Sequence, residues 1–259
     1  LDTGARVVEV LLVAGSQVDV GSYAPFVERL QRDLAERGVR ARVVVMPLGF
    51  SSFFLGAPVH VRAYMRLLKR LGSTATSISD VYVVAHSLGA YFLFEVMRRW
   101  PLGVVHIGAM LGTFKRDVAS PGFSRPLLSL IGERDGFMPL SSAAWELAAV
   151  EGRLLAGSEG GGAAAAASWR ARRRCIGVVR GAAHMQLAND SRTAIATRTG
   201  RRDLLADLPL DDAIAAYSAP TADFVAALEG GASAAAAGAR LDALHGRSRS
   251  LLGPAVDAA

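Results

Sequence analysis

The sequence has 259 residues, of which 51% are hydrophobic, 7% aromatic and 20% charged. A chain of this composition can bury a substantial core, which excludes global disorder. The single cysteine, Cys175, excludes an intrachain disulfide and a zinc site built from several cysteines. Lys and Arg residues number 29 against 23 Asp and Glu, a net charge of +6. The densest basic run, at 170–174, has no accompanying nucleic-acid-binding motif, so we expect a solvated loop and no nucleic-acid partner.

No apolar run approaches the roughly 20 residues that a helix needs to cross a bilayer. The apolar stretch within the first 14 residues is interrupted by the acidic Glu9, and it lacks the basic start of a signal peptide. We therefore expect an intracellular, soluble protein of the cytoplasm or an organelle lumen, with peripheral membrane contact left open. The first residue is Leu1, which also leaves open an upstream targeting segment. The sequence does not indicate an oligomeric state.

Apolar runs of strand length alternate along the chain with amphipathic segments of helix length. The predicted strands are residues 7–14, 40–46, 80–85, 104–111, 127–132 and 175–181. The predicted helices are residues 23–37, 59–71, 88–100, 141–150 and 221–228. Short, continuously apolar strands separated by helices are typical of a parallel sheet covered on both faces. The sequence therefore predicts an α/β fold with a doubly wound, mainly parallel six-stranded sheet and helices on both faces.

Two segments fall outside this alternation. Residues 152–174 contain a low-complexity Gly/Ala-rich insertion, and residues 230–259 form a Gly/Ala-rich C-terminal tail. We expect one domain over residues 1–229, and we expect the tail to be partly disordered and to contribute little to the core.

The most informative motif is Ala85-His86-Ser87-Leu88-Gly89, which lies directly between a predicted strand and a predicted helix. This is the context in which a G-x-S-x-G sequence forms a nucleophile elbow, whose tight turn requires small residues two positions before and after the serine. Ala85 replaces the first glycine. The amides of the following helix favour a developing anion. The alternative is that Ser87 only caps that helix.

Two further polar residues follow predicted strands. Asp135 comes after the fifth strand, within Glu133-Arg134-Asp135-Gly136, and His184 comes after the sixth. A serine nucleophile needs a base and an acid that orients it, and open α/β sheets place sites at the carboxyl ends of their strands. Asp135 is favoured over Glu133 because a short Asp before Gly suits the turn. Taken singly, Asp135 is better explained as a turn residue and His184 as a solvated loop histidine, and only their occurrence together in this order favours the catalytic roles.

The sequence resembles the α/β-hydrolase superfamily in VYVVAHSLG at 81–89, LLSLIGERDGF at 127–137 and IGVVRGAAHMQLA at 176–188. The resemblance covers residues 7–228 and departs from the family at Ala85 and in the insertion. It implies a minimal, lipase-like member without the two antiparallel N-terminal strands and without a large cap. It also implies Ser87 as nucleophile, and it leaves Asp117 as an alternative acid.

The resemblance further implies two oxyanion-hole donors and an apolar pocket. One donor would be the backbone amide of Leu88, and the other that of Ser16 or Gln17, with Ser16 preferred. The apolar segment at 50–56 is either a loop tucked under the core or the lip of an acyl or alcohol pocket. As a lip it supplies Phe53 and Phe54 as substrate-binding candidates, with Met185 as a third. Met110, Phe137 and Met138 would lie near them by the family's topology.

The remaining histidines are predicted to have structural roles. We expect His86 to pack, His106 to be a core histidine with its hydrogen bonds satisfied, and His60 and His245 to be solvated. No His, Asp or Glu cluster has metal-ligand spacing, and no G-x-G-x-x-G is present, so we expect no metal and no cofactor.

Together these features predict a serine hydrolase that cleaves a carboxylic ester with an apolar acyl or alcohol group. Its partner would be a small-molecule ester. Two alternatives remain from the sequence: an acyltransferase that uses the same three residues, and a non-catalytic binding protein with a hydrolase fold.

Overall fold

A computed structural model describes residues 6–16, 18–48, 57–92, 101–109, 125–156, 173–188 and 203–256. Several residues with predicted roles lie outside the described residues: Gln17, Phe53, Phe54, Met110, Asp117, Arg170 and Arg172. The roles predicted for them stay predictions.

Six strands and six helices make up the described structure. The strands are β1 (Val8–Val13), β2 (Ala41–Met46), β3 (Val81–His86), β4 (Gly103–Ile107), β5 (Leu127–Gly132) and β6 (Arg174–Val179). The helices are α1 (Ala24–Glu36), α2 (Ala57–Arg70), α3 (Leu88–Phe92), α4 (Leu140–Ala156), α5 (Leu210–Glu229) and α6 (Ala234–Val256). Short 3-10 turns lie at Val20–Tyr23, Ile78–Asp80 and His184–Ala188.

The strands form one sheet in the order β2-β1-β3-β4-β5-β6, and every neighbouring pair is parallel. Strands β1, β3, β4 and β5 are buried along their whole length, as expected for a sheet covered on both faces. The predicted α/β architecture with a parallel six-stranded sheet is confirmed. Because all strands run the same way, the loops after β1, β3, β5 and β6 meet at one edge of the sheet.

The two faces of the sheet are covered by different helices. On one face, α1 and α5 contribute large buried side chains that include Phe26, Tyr217 and Phe224. On the other face, α2 packs Tyr64 and Leu68 against β1 and β3, while α4 covers β5 and β6. Burial of these apolar side chains stabilises the contact between the helices and the sheet.

Helix α5 begins at Leu210, well before the predicted start at residue 221. The predicted start directly follows Pro220, a residue that lacks an amide donor and normally does not occur inside a helix. Here the helix continues, with Thr221 Oγ1 donating to the Tyr217 carbonyl at 2.8 Å. Ala213, Ile214 and Tyr217 are buried before the proline, and this apolar contact offsets its cost.

The expectation that the C-terminal segment contributes little to the core is wrong for Ala234–Val256, which form α6. This helix lies along β6, an edge strand whose outward amides would otherwise lack partners. The amide of Ile176 donates to His245 Nδ1 at 3.3 Å, and the amide of Val178 donates to Ser248 Oγ at 2.9 Å. The side chains of α6 therefore supply acceptors to two amides of the sheet edge.

None of the helices in the described parts of the chain is both long and apolar enough to cross a membrane.

Candidate active site

Ser87 lies at a sharp turn between β3, which ends at His86, and α3, which begins at Leu88. Its φ angle is 53°, a left-handed conformation that is uncommon for a residue with a Cβ atom. The Ser87 amide donates to the Ile107 carbonyl of β4 at 2.9 Å, so the strained residue is held by the sheet. A left-handed serine between a strand and a helix is what the predicted nucleophile elbow requires, and the role of Ser87 as a nucleophile stays a prediction.

The turn requires glycine on only one side of Ser87. A Cβ atom at Gly89 would lie 2.6 Å from the Ala14 carbonyl and 2.9 Å from that of Val13, so a larger residue would push α3 away from β1. Ala85 is fully buried within β3, and its methyl group is accommodated there. The departure from glycine at Ala85 is therefore compatible with the turn.

The structure brings together the three residues predicted to do chemistry. His184 Nε2 lies 2.9 Å from Ser87 Oγ, and His184 Nδ1 lies 2.7 Å from Asp135 Oδ2. With the Nδ1 proton donated to the carboxylate, the lone pair on Nε2 faces the serine hydroxyl. His184 and Asp135 are 3% and 5% exposed, so water competes little for these hydrogen bonds.

The turn that carries Asp135 is fixed by the same carboxyl group. Asp135 Oδ1 accepts hydrogen bonds from the amides of Phe137 at 2.9 Å and Met138 at 2.7 Å, which leaves Oδ2 for His184. Glu133, the alternative acid in this loop, accepts a hydrogen bond from the Gly181 amide at 2.9 Å. Its carboxylate joins the two loops and does not bind the imidazole.

The pKa of His184 is raised above its usual value of 6.5. Burial lowers this pKa because it penalises the charged imidazolium, but attraction and a hydrogen bond from Asp135 outweigh that penalty, and the Asp203 carboxylate adds to them. The site therefore favours a protonated imidazole, the form that a general base reaches after it accepts a proton.

His86 takes part in a buried hydrogen-bond chain. The Gly15 amide donates to Tyr23 Oη at 2.7 Å, the Tyr23 hydroxyl lies 2.7 Å from His86 Nδ1, and His86 Nε2 lies 3.2 Å from the His184 carbonyl. Burial, with a smaller effect of His184, lowers the pKa of His86 to about 3. A neutral His86 that donates from Nε2 and accepts at Nδ1 satisfies the whole chain.

One predicted oxyanion donor, the amide of Leu88, directly follows Ser87 in the chain, and the other, that of Ser16, lies in the loop after β1. Leu88 is the first residue of α3, where backbone amides have no partner within the helix. Ser16 follows Gly15, whose amide is fixed by Tyr23. Their donor roles stay predictions.

Of the residues predicted to line the pocket, Met185 and Phe137 differ in their position relative to His184. Met185 is half-buried and packs against the core on the α1 side, so its role in substrate binding stays a prediction. The Phe137 ring lies 4.9 Å from the imidazole of His184, centre to centre. Phe137 therefore supplies an apolar wall beside the candidate base.

Three predictions about the remaining histidines are corrected. His106 is fully buried, but neither of its ring nitrogens has a hydrogen-bond partner in the described part of the chain. Burial lowers the pKa of His106 to about 3, so the ring stays neutral. His245 is 3% exposed and accepts the hydrogen bond from the Ile176 amide. His60 is half-buried, with its ring 5.4 Å from that of Phe92.

Sequence reasoning missed two residues that contact the site, Tyr23 and Asp203. Tyr23 ends a 3-10 turn before α1, and Asp203 lies in an irregular segment before α5. Neither residue belongs to a motif, and both reach the site through folding of distant chain segments. Among the described residues, no group of three or more His, Cys, Asp or Glu side chains could hold a metal ion.

No protein-family model matches the sequence, and no curated protein matches it significantly. Several solved structures are similar to the fold. The esterase domain of a Rhodothermus marinus protein is 14% identical, with 87% of this chain and 89% of that chain covered and a TM-score of 0.48. Est1E from Butyrivibrio proteoclasticus is 10% identical, with 87% and 91% covered and a TM-score of 0.49. A monoacylglycerol lipase from Paleococcus ferrophilus is 13% identical, with 82% and 96% covered and a TM-score of 0.41.

Proposed function

We propose that this protein is a serine hydrolase of the α/β-hydrolase superfamily that cleaves a carboxylic ester. The observation that carries the proposal is the continuous hydrogen-bonded chain from Asp135 through His184 to Ser87, with heavy-atom distances of 2.7 and 2.9 Å. These distances are within the range over which a base can take the proton of a nucleophile.

In the first half of the reaction, the Ser87 Oγ proton moves to His184 Nε2 as Oγ attacks the ester carbonyl carbon. The carbonyl oxygen becomes an oxyanion, and Asp135 stabilises the imidazolium that forms. When the C–O bond to the alcohol breaks, the imidazolium proton goes to the departing oxygen. An acyl group remains on Ser87, and the imidazole is neutral again.

In the second half, His184 takes a proton from a water molecule that attacks the acyl carbon. The second tetrahedral intermediate collapses, the proton returns to Ser87 Oγ, and the carboxylic acid is released. The amides of Leu88 and Ser16 would stabilise the oxyanion in both halves. Removal of one such donor typically costs about 3 kcal/mol of transition-state stabilisation.

The substrate group next to the site is expected to be apolar. Phe137 packs beside His184 and offers a carbon surface rather than charge. Phe53, Phe54 and Met185 are the further apolar candidates from the sequence. An apolar acyl or alcohol group would gain from leaving water at such a surface.

The test is hydrolysis of p-nitrophenyl esters of increasing acyl length by the wild type, Ser87→Ala and Ser79→Ala. Ser79 is an exposed serine in the turn before β3 and serves as the matched control. We expect Ser87→Ala to lose ester turnover and covalent labelling by an organophosphonate, read by intact mass, while Ser79→Ala keeps both. Full turnover by folded Ser87→Ala, or no labelling of folded wild type, would contradict the proposal.

Product analysis distinguishes hydrolysis from acyl transfer, because both reactions pass through the same acyl-enzyme. The wild type is incubated with the best ester and an added alcohol or amine. Release of the free acid as the main product is expected for a hydrolase. A dominant transfer product would assign the same three residues to an acyltransferase.

A further inference from the structure

A single carboxylate, that of Asp203, binds both of the loops that carry the candidate acid and base. Asp203 Oδ1 accepts hydrogen bonds from the Gly136 amide at 3.1 Å and the His184 amide at 3.0 Å. Asp203 Oδ2 accepts one from the Met185 amide at 2.8 Å. Gly136 follows Asp135 directly, so one side chain fixes the backbone on both sides of the Asp135–His184 contact.

The segment that carries Asp203 is itself attached to the loop before His184. The amides of Asp207 and Leu208 donate to the Gly181 carbonyl at 2.8 and 3.2 Å. The side chain of Gln186 donates to the Leu208 carbonyl at 2.7 Å. Residues 203–208 are therefore anchored at both ends, which gives Asp203 a defined position relative to the site.

We propose that Asp203 is a positioning residue that holds the loops of Asp135 and His184 in a fixed position relative to each other. It also places a second fixed negative charge near the imidazole. The proposal rests on the function proposed above. The three amide hydrogen bonds set the backbone of His184, and the ring can then reach both Ser87 and Asp135. The carboxylate charge stabilises the imidazolium that forms when Ser87 gives up its proton.

The effect of the Asp203 charge on His184 can be measured separately from the effect of Asp203 on the position of the imidazole. Burial lowers the pKa of His184, and Asp135 and Asp203 both raise it, so removal of the Asp203 charge is expected to lower this pKa. A residue that only holds the fold together would change stability without a specific change in the titration of His184.

Asp203→Asn is the informative variant because it keeps the shape and one acceptor oxygen but removes the charge. Asp207→Asn is the matched control. Asp207 lies in the same segment, its side chain is 57% exposed, and its carboxylate pairs with Arg134 at 2.8 Å. An exposed ion pair of this kind contributes little to stability. Asp203→Glu, which keeps the charge at a changed distance, is a second variant that separates charge from geometry.

Two measurements test the proposal: the titration of the imidazole resonances by NMR, and kcat/KM for an ester across pH. The His184 resonance is identified by its absence from His184→Gln. For Asp203→Asn we expect the His184 midpoint to move to lower pH, and kcat/KM to fall about tenfold or more because the imidazolium loses a stabilising charge and the Met185 amide loses its acceptor. Asp207→Asn should match the wild type. Asp203→Glu should keep the midpoint near that of the wild type but lose kcat/KM.

An unchanged His184 midpoint in Asp203→Asn, or a kcat/KM within about twofold of that of Asp207→Asn, would overturn the proposal. If Asp203→Asn does not fold, a midpoint in Asp203→Glu that falls well below that of the wild type overturns it as well. The NMR titration does not require turnover. Failure of the ester hydrolysis test is therefore distinguishable from failure of the role assigned to Asp203.

Discussion

The Tyr23 hydroxyl and His86 Nδ1 lie 2.7 Å apart, in a hydrogen bond that joins the start of α1 to the residue before Ser87. Tyr23 is fully buried, and its oxygen also accepts the Gly15 amide proton. His86 in turn contacts the His184 carbonyl. A chain of neutral, buried groups therefore connects the loop after β1, the turn at Ser87 and the loop that carries the candidate base.

Tyr23→Phe is expected to reduce both activity and stability. The phenyl ring keeps the packing, but the Gly15 amide and His86 Nδ1 both lose a buried partner, at a cost of about 1–3 kcal/mol in the free energy of unfolding. The loop that holds Ser16 would also lose its attachment, so we expect kcat/KM to fall about tenfold. Urea denaturation and ester kinetics measure the two effects.

Tyr64→Phe is the matched control for Tyr23→Phe. Tyr64 is 4% exposed, and its hydroxyl has no hydrogen-bond partner among the described residues. Removal of this oxygen is expected to leave activity unchanged and stability unchanged or raised. Equal losses in Tyr23→Phe and Tyr64→Phe would contradict the role given to the Tyr23–His86 hydrogen bond.

The pH dependence of the reaction is expected to follow His184. The base must be neutral to accept the Ser87 proton, and its pKa is raised by Asp135 and Asp203 despite the opposing effect of burial. Activity should therefore fall as pH decreases through a value above 6.5, the ordinary pKa of the group. The rate of organophosphonate labelling between about pH 5 and pH 9 measures this midpoint. A midpoint below 6.5 would contradict the assignment.

Gly108→Ala is expected to reduce activity more than stability. Gly108 has a φ angle of 60°, and a Cβ atom there would lie 2.8 Å from both Cε1 and Nδ1 of His184. The added methyl group would displace the imidazole, so we expect kcat/KM to fall about 100-fold. The left-handed backbone alone costs an alanine about 1–2 kcal/mol.

Gly38→Ala controls for that backbone cost. Gly38 has a φ angle of 76°, and nothing lies within 4 Å of a Cβ atom built there. Both variants should lose similar stability in thermal denaturation, and only Gly108→Ala should lose activity. A Gly108→Ala protein with wild-type kcat/KM would show that His184 tolerates the contact.

His106→Leu is expected to stabilise the fold. The histidine is buried in β4, and neither of its ring nitrogens has a hydrogen-bond partner among the described residues. A leucine of similar size removes these polar atoms, whose desolvation costs about 1–3 kcal/mol when no hydrogen bond compensates it. His245→Leu should do the opposite, because it removes the acceptor for the Ile176 amide. A lower melting temperature for His106→Leu than for the wild type would contradict this reasoning.

Much of the fold and the central part of the site are predictable from the sequence. Continuous apolar runs identify buried strands, and a parallel sheet places the loops after its strands at one edge. Ser87, Asp135 and His184 each come after a strand, and the structure brings their side chains within hydrogen-bonding distance. The order of the strands within the sheet is known only from the folded structure.

In the C-terminal helix, the Gly/Ala-rich composition drew attention away from a helical pattern of buried residues. Its Gly/Ala content led to the prediction of a tail with little core, yet Leu241, His245, Ser248 and Leu252 recur at helical spacing and are all buried. Their common partner, the outer edge of β6, is not visible in the local sequence. Helix α6 is therefore recognisable as a helix from its sequence, but its contact with the sheet is not.

The sequence by itself determined which polar residues follow the strands and in what order they come along the chain. It could do so because the preferences of residues for strands and turns are local. Only the tertiary structure decided which polar groups support them. Tyr23 and Asp203 lie 63 and 19 residues from the site residues that they contact, His86 and His184. A hydrogen bond depends on the distance between two atoms in space, and chain separation carries no such information until the sheet and helices have packed.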